Sequence, residues 1–216
     1  IVAAGSRTIE KAEEFASNFG AERAHGSYEE LIADPRVQAV YVALPNSMHC
    51  EWTIRAAEAG KHVLCEARMA MNATEARDML AASIANPDLI TQIVPPPHLM
   101  ACQRYLIELI ADGYIGDIVN VNARVFDGSA FPDSDTDAHW RHIRELSGNN
   151  VMTTGIWYEN LMRLVGTASS VSAIAQVVVP HRRGWDGSRQ QMTIPDQLDI
   201  IYSLSGGGTV NLSVTT

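Results

Sequence analysis

Residues 37–66 read VQAVYVALPNSMHCEWTIRAAEAGKHVLCE, and the fold follows from this stretch. Its first eight residues, 37–44, are almost entirely apolar, and a second short apolar run occupies residues 62–65. Such runs predict strands that are buried on both faces of a parallel sheet. The pattern between them predicts a helix over about residues 49–59, which Gly60 ends. Two parallel strands joined by one helix form a right-handed βαβ unit.

The same alternation of strands and helices extends to both sides of this unit. Further strands are predicted over residues 1–4, 23–25 and 91–94, and further helices over residues 8–19, from Ser27 onward, and from Asn72 to about residue 85. Ser27 and Asn72 are residue types that favour the helix N-cap. Repeated βα units predict an α/β fold, with a doubly wound parallel sheet of the Rossmann type.

A second domain is predicted after Pro95-Pro96-Pro97, because three consecutive prolines interrupt the chain where the first sheet ends. We therefore divide the chain into residues 1–95 and residues 96–216. The second part combines predicted helices at 98–111 and 155–165 with predicted strands at 118–126, 171–179, 199–204 and 209–214. Helices followed by several strands predict an α+β domain with an open, mostly antiparallel sheet.

The charge and cysteine content argue against several classes of function. With 16 basic and 25 acidic residues the chain carries a formal charge of -9, which predicts no nucleic-acid partner. No run approaches the ~18 consecutive apolar residues of a membrane span, so no membrane partner is predicted. Cys50, Cys65 and Cys102 have neither metal-ligand nor redox spacing, which predicts no metal site and a reducing, cytoplasmic location.

Ligands of a doubly wound sheet lie beyond the carboxyl ends of its strands, so residues that follow a strand are candidates for cofactor binding. Ser6 and Arg7 follow the first strand, where an NAD-binding protein would carry a carboxylate for the ribose hydroxyls. A hydroxyl beside an arginine favours the 2′-phosphate of NADP(H), with NAD(H) as the alternative. The sequence alone leaves open an ordinary surface role for Arg7.

The loops after the next two strands supply further candidates at this edge. Leu44, Pro45 and Asn46 follow the first apolar run, and Glu66 follows the second. A glutamate that ends a buried strand needs a polar partner, such as a ribose hydroxyl or a backbone amide. A structural contact between Glu66 and Arg68 is the alternative.

Six short motifs, in order along the chain, resemble one family of dehydrogenases. They are Ser6-Arg7, residues 43–49 (ALPNSMH), residues 59–66 (AGKHVLCE), residues 69–72 (MAMN), residues 113–117 (GYIGD) and Trp140-Arg141. The series resembles the Gfo/Idh/MocA family, named after glucose–fructose oxidoreductase, inositol dehydrogenase and the rhizopine catabolism protein. The resemblance implies a Rossmann domain that binds NAD(H) or NADP(H), followed by a domain with an open sheet.

The resemblance also implies which residues hold the cofactor and what surrounds the sequence. Cofactor contacts are expected from Ser6, Arg7, Leu44, Pro45, Asn46, His49, Glu66, Trp140 and Arg141. The family's first strand and its Gly-rich phosphate turn are expected before Ile1, and the last strand is expected to continue or pair beyond Thr216. We therefore expect the sequence to be truncated at both ends.

The chain departs from the family pattern at the catalytic positions. The family's Glu-Lys-Pro motif is represented by residues 66–68 (EAR), so that Ala67 replaces the catalytic lysine. Downstream, Thr153, Trp157 and Asn160 replace an Asp, a His and a second Asp that position and deprotonate a sugar hydroxyl in the family. These three residues share one helical face and are assigned to binding a sugar or polyol.

Three residues are candidates for the missing catalytic function. Arg68 can orient or stabilise charge but cannot act as a base, because a guanidinium does not lose its proton in proteins. Tyr158 is a candidate for proton transfer, with packing as the alternative. His98 is the best placed of the histidines, with a structural role as the alternative.

Together these observations predict an NAD(P)-dependent oxidoreductase that transfers hydride between a nicotinamide cofactor and a sugar, polyol or related carbonyl compound. The alternative is a catalytically silent relative that binds a nucleotide or sugar as a sensor or partner subunit. A homodimer or homotetramer is expected to form through the second sheet. Its exposed apolar residues are predicted to be Val177, Val179, Ile201 and Leu212.

Overall fold

The computed structural model describes residues 1–95, 101–126, 135–151 and 153–216. The chain divides into two compact units, Ile1–Pro95 and Pro96–Thr216. Each unit contains its own cluster of buried apolar side chains. None of the helices in the described ranges combines the length and the apolarity that a membrane crossing requires.

The first unit alternates strands and helices. In chain order its elements are β1 (Ala3–Gly5), α1 (Ile9–Phe19), β2 (Arg23–His25), α2 (Tyr28–Ala33), β3 (Ala39–Val42), α3 (Asn46–Glu58), β4 (His62–Cys65), α4 (Ala73–Ala85) and β5 (Thr91–Ile93). All the strand pairs of this unit are parallel. The predicted parallel α/β architecture is confirmed, although the strands form two sheets, β1-β2 and β3-β4-β5, rather than one.

Side-chain caps set the boundaries of the longer helices in this unit. Thr8 precedes α1, and its hydroxyl accepts a hydrogen bond from the Lys11 amide at 3.5 Å. Gly20 ends the same helix in the left-handed conformation, with φ at 70°, which glycine adopts without strain. The Asn72 side chain accepts the Glu75 amide at 3.0 Å and begins α4 where the sequence predicts it.

Two predictions about residues 37–49 are wrong. The first apolar run does not form a strand buried on both faces, because Val40 and Val42 are buried whereas Tyr41 is 56% exposed. Helices α3 and α4 pack against the face that carries the two valines. Helix α3 begins at Asn46 rather than near residue 49, because Pro45 is its N-cap and has a φ of -59°, which suits entry into a helix.

The second unit is built on a four-stranded mixed sheet. Its elements are α5 (Gln103–Ala111), β6 (Asn120–Phe126), a 3-10 turn (Trp140–His142), α6 (Arg144–Ser147), α7 (Thr154–Val165), β7 (Ala168–Gln176), β8 (His181–Arg183), β9 (Arg189–Gln191), β10 (Gln197–Leu204) and β11 (Thr209–Thr215). The strand order is β6-β11-β10-β7, and β10 is antiparallel to both of its neighbours. Strands β6 and β11 are parallel, so the predicted open, mostly antiparallel sheet is confirmed.

Helix α7 covers one face of this sheet. Its residue Leu161 packs with the buried side chains of Tyr202, Val210, Leu212 and Val214 from β10 and β11. The prediction that Leu212 is exposed is therefore wrong, since Leu212 is 1% exposed beneath this helix. It is also wrong for Val179, which lies beyond β7 and is 5% exposed. Alternation shows that residues share a face, but only the position of α7 decides which face it covers.

The uncovered face of the sheet is largely polar. Asn211 on β11 donates to the side chain of Asn122 on β6 at 3.0 Å, and Asn120 donates to the Thr209 hydroxyl at 2.9 Å. Ile201 is 57% exposed on this face, as predicted. Because hydrogen-bonded side chains of β11 and β6 lie beside Ile201, this part of the face is less apolar than the sequence pattern predicts.

Asp34, which ends α2, joins three segments of the first unit. Its carboxylate accepts the Arg36 amide at 2.9 Å and lies 3.1 Å from the His25 ring and 3.2 Å from the Arg23 guanidinium. The buried Lys61 ammonium donates to the Asp34 backbone carbonyl at 2.9 Å. The Arg36 amide, together with His25 and Arg23, lowers the pKa of the Asp34 carboxyl below its ordinary value.

We expect Asp34→Asn to lower the urea midpoint of unfolding at pH 7, because an amide replaces a carboxylate that accepts several hydrogen bonds. A carboxyl whose pKa is lowered by folding stabilises the protein above its unfolded-state pKa of about 3.9 and loses this contribution as the pH falls through the folded-state pKa. The difference between the variant and the parent should therefore shrink in acid.

Urea unfolding from pH 7 down to pH 2 measures this effect. Asp88→Asn, at an exposed position in the same unit, is the matched control and should leave the midpoint unchanged. Parallel stability curves for Asp34→Asn and the parent over the whole range would contradict a coupling between this carboxylate and folding.

Candidate functional site

The loops that follow β3 and β4 are held together by His49, a residue of α3. Its ring is 1% exposed, with Nε2 2.7 Å from the Leu44 carbonyl oxygen and Nδ1 2.8 Å from the Arg68 carbonyl oxygen. The Glu66 amide donates to the carbonyl oxygen of Val42 at 3.0 Å. The carboxyl ends of the two strands and the loops after them therefore form one edge of the unit.

The predicted role of His49 in cofactor binding stays a prediction, and the structure gives the residue a positioning role. Both ring nitrogens face backbone carbonyl oxygens, and the ring is enclosed by protein. His49 therefore acts as a positioning residue that fixes Leu44 and Arg68 relative to each other.

Helix α3 begins at the same edge. Pro45 is its N-cap and provides no side-chain hydrogen bond, and Asn46, its first residue, is 2% exposed. The first turn of α3 contains no acidic residue. Amide groups in the first turn of a helix carry partial positive charge, so this edge favours a ligand that presents hydrogen-bond acceptors.

Glu66 lies directly after β4 and has two partners at this edge. The Tyr41 hydroxyl of β3 donates to its carboxylate, and the Ala67 amide donates to the other carboxylate oxygen at 3.1 Å. The hydrogen bond to Glu66, followed by burial, raises the pKa of Tyr41, which keeps this phenol protonated at neutral pH. The peptide bond between Ala67 and Arg68 is cis.

Sequence reasoning misses Tyr41 as a member of this site. It lies within an apolar run, where the pattern predicts a packed aromatic residue rather than a hydroxyl bonded to Glu66. Pairing of Val42 with Cys65 brings the ends of β3 and β4 together and with them Tyr41 and Glu66. No signal within β3 alone indicates this pair.

Ser6 and Arg7 follow β1, as predicted. The Ser6 amide donates to the His25 carbonyl oxygen of β2 at 3.1 Å, which fixes the backbone at the end of this strand. Arg7 is exposed, and it forms no ion pair within the described ranges of the chain. A guanidinium and a hydroxyl therefore stand at the end of β1, where the sequence carries no carboxylate before Glu10.

Trp140 and Arg141 belong to the 3-10 turn of the second unit. The Arg141 guanidinium lies over the Trp140 ring, 4.3 Å from its centroid. His139 caps the turn: its Nδ1 accepts the Arg141 amide at 3.3 Å, and its own amide donates to Nδ1 of His142 at 3.0 Å. The stacking and the cap hold the arginine in one orientation.

The N-terminus of α7 carries Thr153 and Thr154. Thr153 has a φ of 61°, a left-handed conformation that costs energy for a β-branched residue and is concentrated at functional sites. The hydroxyl oxygens of both threonines are buried and lack a hydrogen-bond partner among the residues that the structure describes. Thr153 is thus a predicted substrate residue whose hydroxyl has no hydrogen-bond partner within the described residues.

The other two residues of the predicted substrate face are oriented inward. Asn160 is 1% exposed, and its amide donates to the Ile156 carbonyl oxygen at 3.0 Å. Trp157 packs against the core cluster beneath α7. Trp157 thus meets the sheet, Asn160 bonds within its own helix, and the assignment of Thr153, Trp157 and Asn160 to a sugar or polyol stays a prediction.

Tyr158 and His98, two of the catalytic candidates, have different outcomes. The Tyr158 ring packs edge-on against Tyr202, with 5.9 Å between ring centroids, and belongs to the same core cluster. Packing, the alternative left open by the sequence, is therefore what the structure describes for Tyr158. His98 lies outside the described residues. Arg68 follows Ala67 at the edge that His49 holds.

Within the described residues, no group of three or more His, Cys, Asp or Glu side chains has the arrangement of a metal site. Asp137, from the acidic stretch before the 3-10 turn, accepts two hydrogen bonds from the Arg183 guanidinium at 2.7 and 2.9 Å. This ion pair fixes strand β8 to the segment that precedes Trp140.

Comparison with known proteins assigns both units to one family. Residues 1–91 match the oxidoreductase family described as having an NAD-binding Rossmann fold, and residues 104–216 match the GFO/IDH/MocA C-terminal domain. The chain belongs to the Gfo/Idh/MocA family. The resemblance predicted from six short motifs is thereby confirmed.

Three relatives illustrate the range of the family. A trans-1,2-dihydrobenzene-1,2-diol dehydrogenase of Mus musculus is 30% identical over 219 residues, which cover 100% of this chain and 61% of the relative. A D-xylose 1-dehydrogenase (NADP(+)) of Hypocrea jecorina is 32% identical over 166 residues, which cover 73% of this chain and 42% of the relative. The solved structure of a levoglucosan dehydrogenase in complex with NADH and levoglucosan superposes with a TM-score of 0.77 at 26% identity, over 98% of this chain and 56% of that one. The chain thus spans between 42% and 61% of the length of these relatives.

Replacing His49 tests its positioning role. We expect His49→Leu to lower the free energy of unfolding by about 1–3 kcal/mol, the cost of leaving a buried carbonyl oxygen unpaired, because leucine fills part of the volume but donates no hydrogen bond. Chemical denaturation of the chain measures this loss. His62→Leu is the matched control: the His62 ring accepts one amide, that of Ile90, and should cost less. Equal losses in the two variants would contradict the bridging role of His49.

Proposed function

We propose that this protein is an NAD(P)-dependent oxidoreductase that transfers hydride between its cofactor and a sugar, polyol or related carbonyl compound. The observation that carries the proposal is the edge that His49 forms from the loops after β3 and β4, in a chain that belongs to an NAD-binding family. In a doubly wound sheet this edge is where the ligand binds.

The residues at this edge fit two parts of a dinucleotide cofactor. Ser6 and Arg7 would hold the ribose of the adenosine half, and Asn46 and Glu66 would hold the nicotinamide half, with Leu44 and Pro45 shaping the edge between them. When bound, a nicotinamide cofactor supplies or accepts the hydride. Trp140 and Arg141 are further proposed contacts of the cofactor, because the Arg141 guanidinium is held in one orientation by stacking on the Trp140 ring.

We further propose a preference for NADP(H) over NAD(H). The exposed Arg7 has no ion-pair partner among the described residues, and Ser6 adds a hydroxyl beside it. A guanidinium binds a phosphate dianion through charge-assisted hydrogen bonds, whereas a carboxylate at this corner would repel it. One of the relatives, the D-xylose 1-dehydrogenase, carries NADP(+) in its name.

Arg7→Ala in the full-length protein tests this preference. We expect the binding of NADPH to weaken by about 1–3 kcal/mol, the range for a lost charge-assisted hydrogen bond, and the binding of NADH to change less. Fluorescence titration measures both. Lys11→Ala removes an exposed cation one turn further along α1 and should change neither. Equal losses for the two cofactors would contradict the proposed role of Arg7.

The substrate side of the proposal rests on unused polar groups rather than on the family's acid–base residues. The Thr153 and Thr154 hydroxyls lack partners within the described residues and suit a polyhydroxylated ligand. The relatives' names give a diol and two sugars as their substrates. Arg68 would orient or stabilise charge, because a guanidinium does not act as a base.

Glu66 and the hydroxyl of Tyr41 form a hydrogen-bonded pair beside the position of the family's lysine. Because the phenol is the donor, it holds the carboxylate in one orientation. Ala67 is exposed and leaves the edge open next to this pair. We propose that Tyr41 and Glu66 position the reacting hydroxyl in a site where the lysine is replaced.

Ala67→Lys tests whether chemistry depends on the replaced lysine. We expect no rise in turnover on the natural substrate, because the new ammonium lacks the partners that would adjust its pKa and because it repels Arg68. A turnover screen of the full-length protein on sugars and polyols measures this, with Ala85→Lys on the exposed end of α4 as the control for added charge.

The triple variant Ala67→Lys, Thr153→Asp and Trp157→His decides between an enzyme and a catalytically silent relative. General acid–base groups contribute about 10²–10⁴-fold to a rate, so recovered activity is measurable. A steep rise in the triple variant from an undetectable parent rate would contradict the proposed enzyme and establish the silent relative.

We also propose a homo-oligomer and a cytoplasmic location. The uncovered face of the β6-β11-β10-β7 sheet supports an interface between two copies, with Ile201 at its centre and hydrogen-bonding amides around it. Such a mixed surface is typical of interfaces that are not permanently buried. The free thiols of Cys50, Cys65 and Cys102 support a reducing compartment.

A further inference from the structure

The 3-10 turn that carries Trp140 and Arg141 is closed by two histidines whose rings accept backbone amides. Nδ1 of His139 accepts the Arg141 amide at 3.3 Å, and Nδ1 of His142 accepts the His139 amide at 3.0 Å. The pair forms a capping box, in which two side chains accept backbone amides at the start of a helical turn. Serine or threonine and glutamate or glutamine usually fill these positions, whereas here both acceptors are imidazole nitrogens.

The chemistry of a backbone amide fixes the protonation of both rings. A backbone N–H only donates, so the ring nitrogen that accepts it must carry no proton. Nδ1 is therefore unprotonated in His139 and in His142, and each neutral ring carries its proton on Nε2. A ring that gains a second proton donates from both nitrogens and can no longer accept an amide. The cap thus exists only while both rings are neutral.

The surroundings of the two rings keep them neutral at pH 7. For His142, burial makes the largest contribution. Arg182 of β8 and then His139 act in the same direction, whereas Asp196, which precedes β10, opposes them. Together they lower the pKa of the His142 ring to about 4. Partial burial, followed by the charge of Arg141, also lowers the pKa of His139.

The segments on both sides of the turn are anchored by other contacts. Before the turn, the Ala138 amide donates to the Arg183 carbonyl oxygen at 2.8 Å. After it, the Ser147 hydroxyl donates to the Arg141 carbonyl oxygen at 2.9 Å. Loss of the histidine cap would therefore release two amides of the turn while the flanking segments stay in place. The expected result is a local change in the orientation of Arg141.

We propose that His139 and His142 are positioning residues that hold Trp140 and Arg141 toward the cofactor only while both rings are neutral. This inference rests on the proposed function, in which Trp140 and Arg141 contact the cofactor. Each histidine acts through a backbone amide of the turn rather than on the cofactor itself. Acid therefore weakens cofactor binding because it opens the turn.

The lowered pKa of His142 gives the direction and the range of this pH dependence. A histidine whose folded-state pKa lies below its unfolded value of about 6.5 stabilises the folded turn fully above that value. It loses this contribution as the pH falls toward the folded-state pKa of about 4. Within this range the equilibrium constant for closing the turn falls by up to about tenfold for each pH unit.

NMR of the histidine side-chain nitrogens in the full-length protein, without cofactor, tests the cap itself. We expect both rings to carry their proton on Nε2 at pH 7, because both Nδ1 atoms accept an amide. The variants His139→Asn and His142→Asn assign the two sets of signals. A proton on Nδ1 of either ring at pH 7 would overturn the proposal whether or not a cofactor binds.

Titration with NADP(+) between pH 7 and pH 4.5 tests the positioning role. In the double variant His139→Asn, His142→Asn, each side-chain oxygen takes the place of Nδ1 as acceptor and does not titrate. We expect parent-like affinity at pH 7 and at least tenfold tighter binding than the parent at pH 4.5. The phosphates of the cofactor titrate equally in both experiments, so the ratio of the two affinities reports the histidines. His142→Leu accepts no amide and should bind at least tenfold more weakly than the parent at pH 7.

The control is His181→Asn, because the Nδ1 of His181 faces the Arg189 guanidinium at 3.0 Å and lies outside the turn. This variant should follow the parent at every pH. A double variant that loses affinity in acid as the parent does would overturn the positioning role alone, and this comparison holds even if His142→Leu does not fold. A folded His142→Leu with unchanged affinity would also overturn it. Absence of NADP(+) binding by the parent at pH 7 would overturn the proposed function and this role with it.

Discussion

The contacts of one buried imidazole with two backbone carbonyl oxygens organise the edge of the first unit at the carboxyl ends of β3 and β4. His49 lies on α3, its Nε2 faces Leu44 after β3, and its Nδ1 faces Arg68 after β4. Backbone carbonyls at the ends of neighbouring parallel strands have no further strand to bond to. A single enclosed ring lies within hydrogen-bonding distance of two of them and connects the loops that carry Asn46 and Glu66.

The rest of this edge follows from that constraint. Once the loop after β4 is fixed, the Glu66 carboxylate is within reach of the Tyr41 hydroxyl and the Ala67 amide, and all three stay at the surface where a ligand can approach. Asp34 and Lys61 fix a different set of connections, between β2, the loop before β3 and the start of β4. In this unit, therefore, the polar groups of some loops are enclosed and bonded to the protein, whereas those of other loops stay accessible at the surface.

The second unit uses its polar groups differently. At the start of α7 the hydroxyls of Thr153 and Thr154, and nearby in sequence the Asn150 amide, are buried without partners within the described residues. Unsatisfied buried groups destabilise a folded domain, and where a protein breaks this rule it commonly does so at a functional site. Further along the same helix, the Asn160 side chain forms a hydrogen bond and the Tyr158 ring packs against Tyr202. The first residues of α7 thus carry unpaired polar groups, whereas the later ones stabilise the fold.

Local patterns in the sequence determined the order of strands and helices and the Asn72 cap of α4. They also determined the family and the positions at which the chain departs from the family's catalytic residues. These features depend on neighbouring residues or on short motifs, and both are visible along the chain. The tertiary structure alone decided that the His49 ring contacts two carbonyl oxygens and that the Tyr41 hydroxyl bonds to Glu66. It also decided that α7 covers Leu212 rather than Ile201. Periodicity shows which residues share a face, but the neighbour that covers a face, or accepts a given hydrogen bond, comes from a distant segment brought close by strand pairing and helix packing.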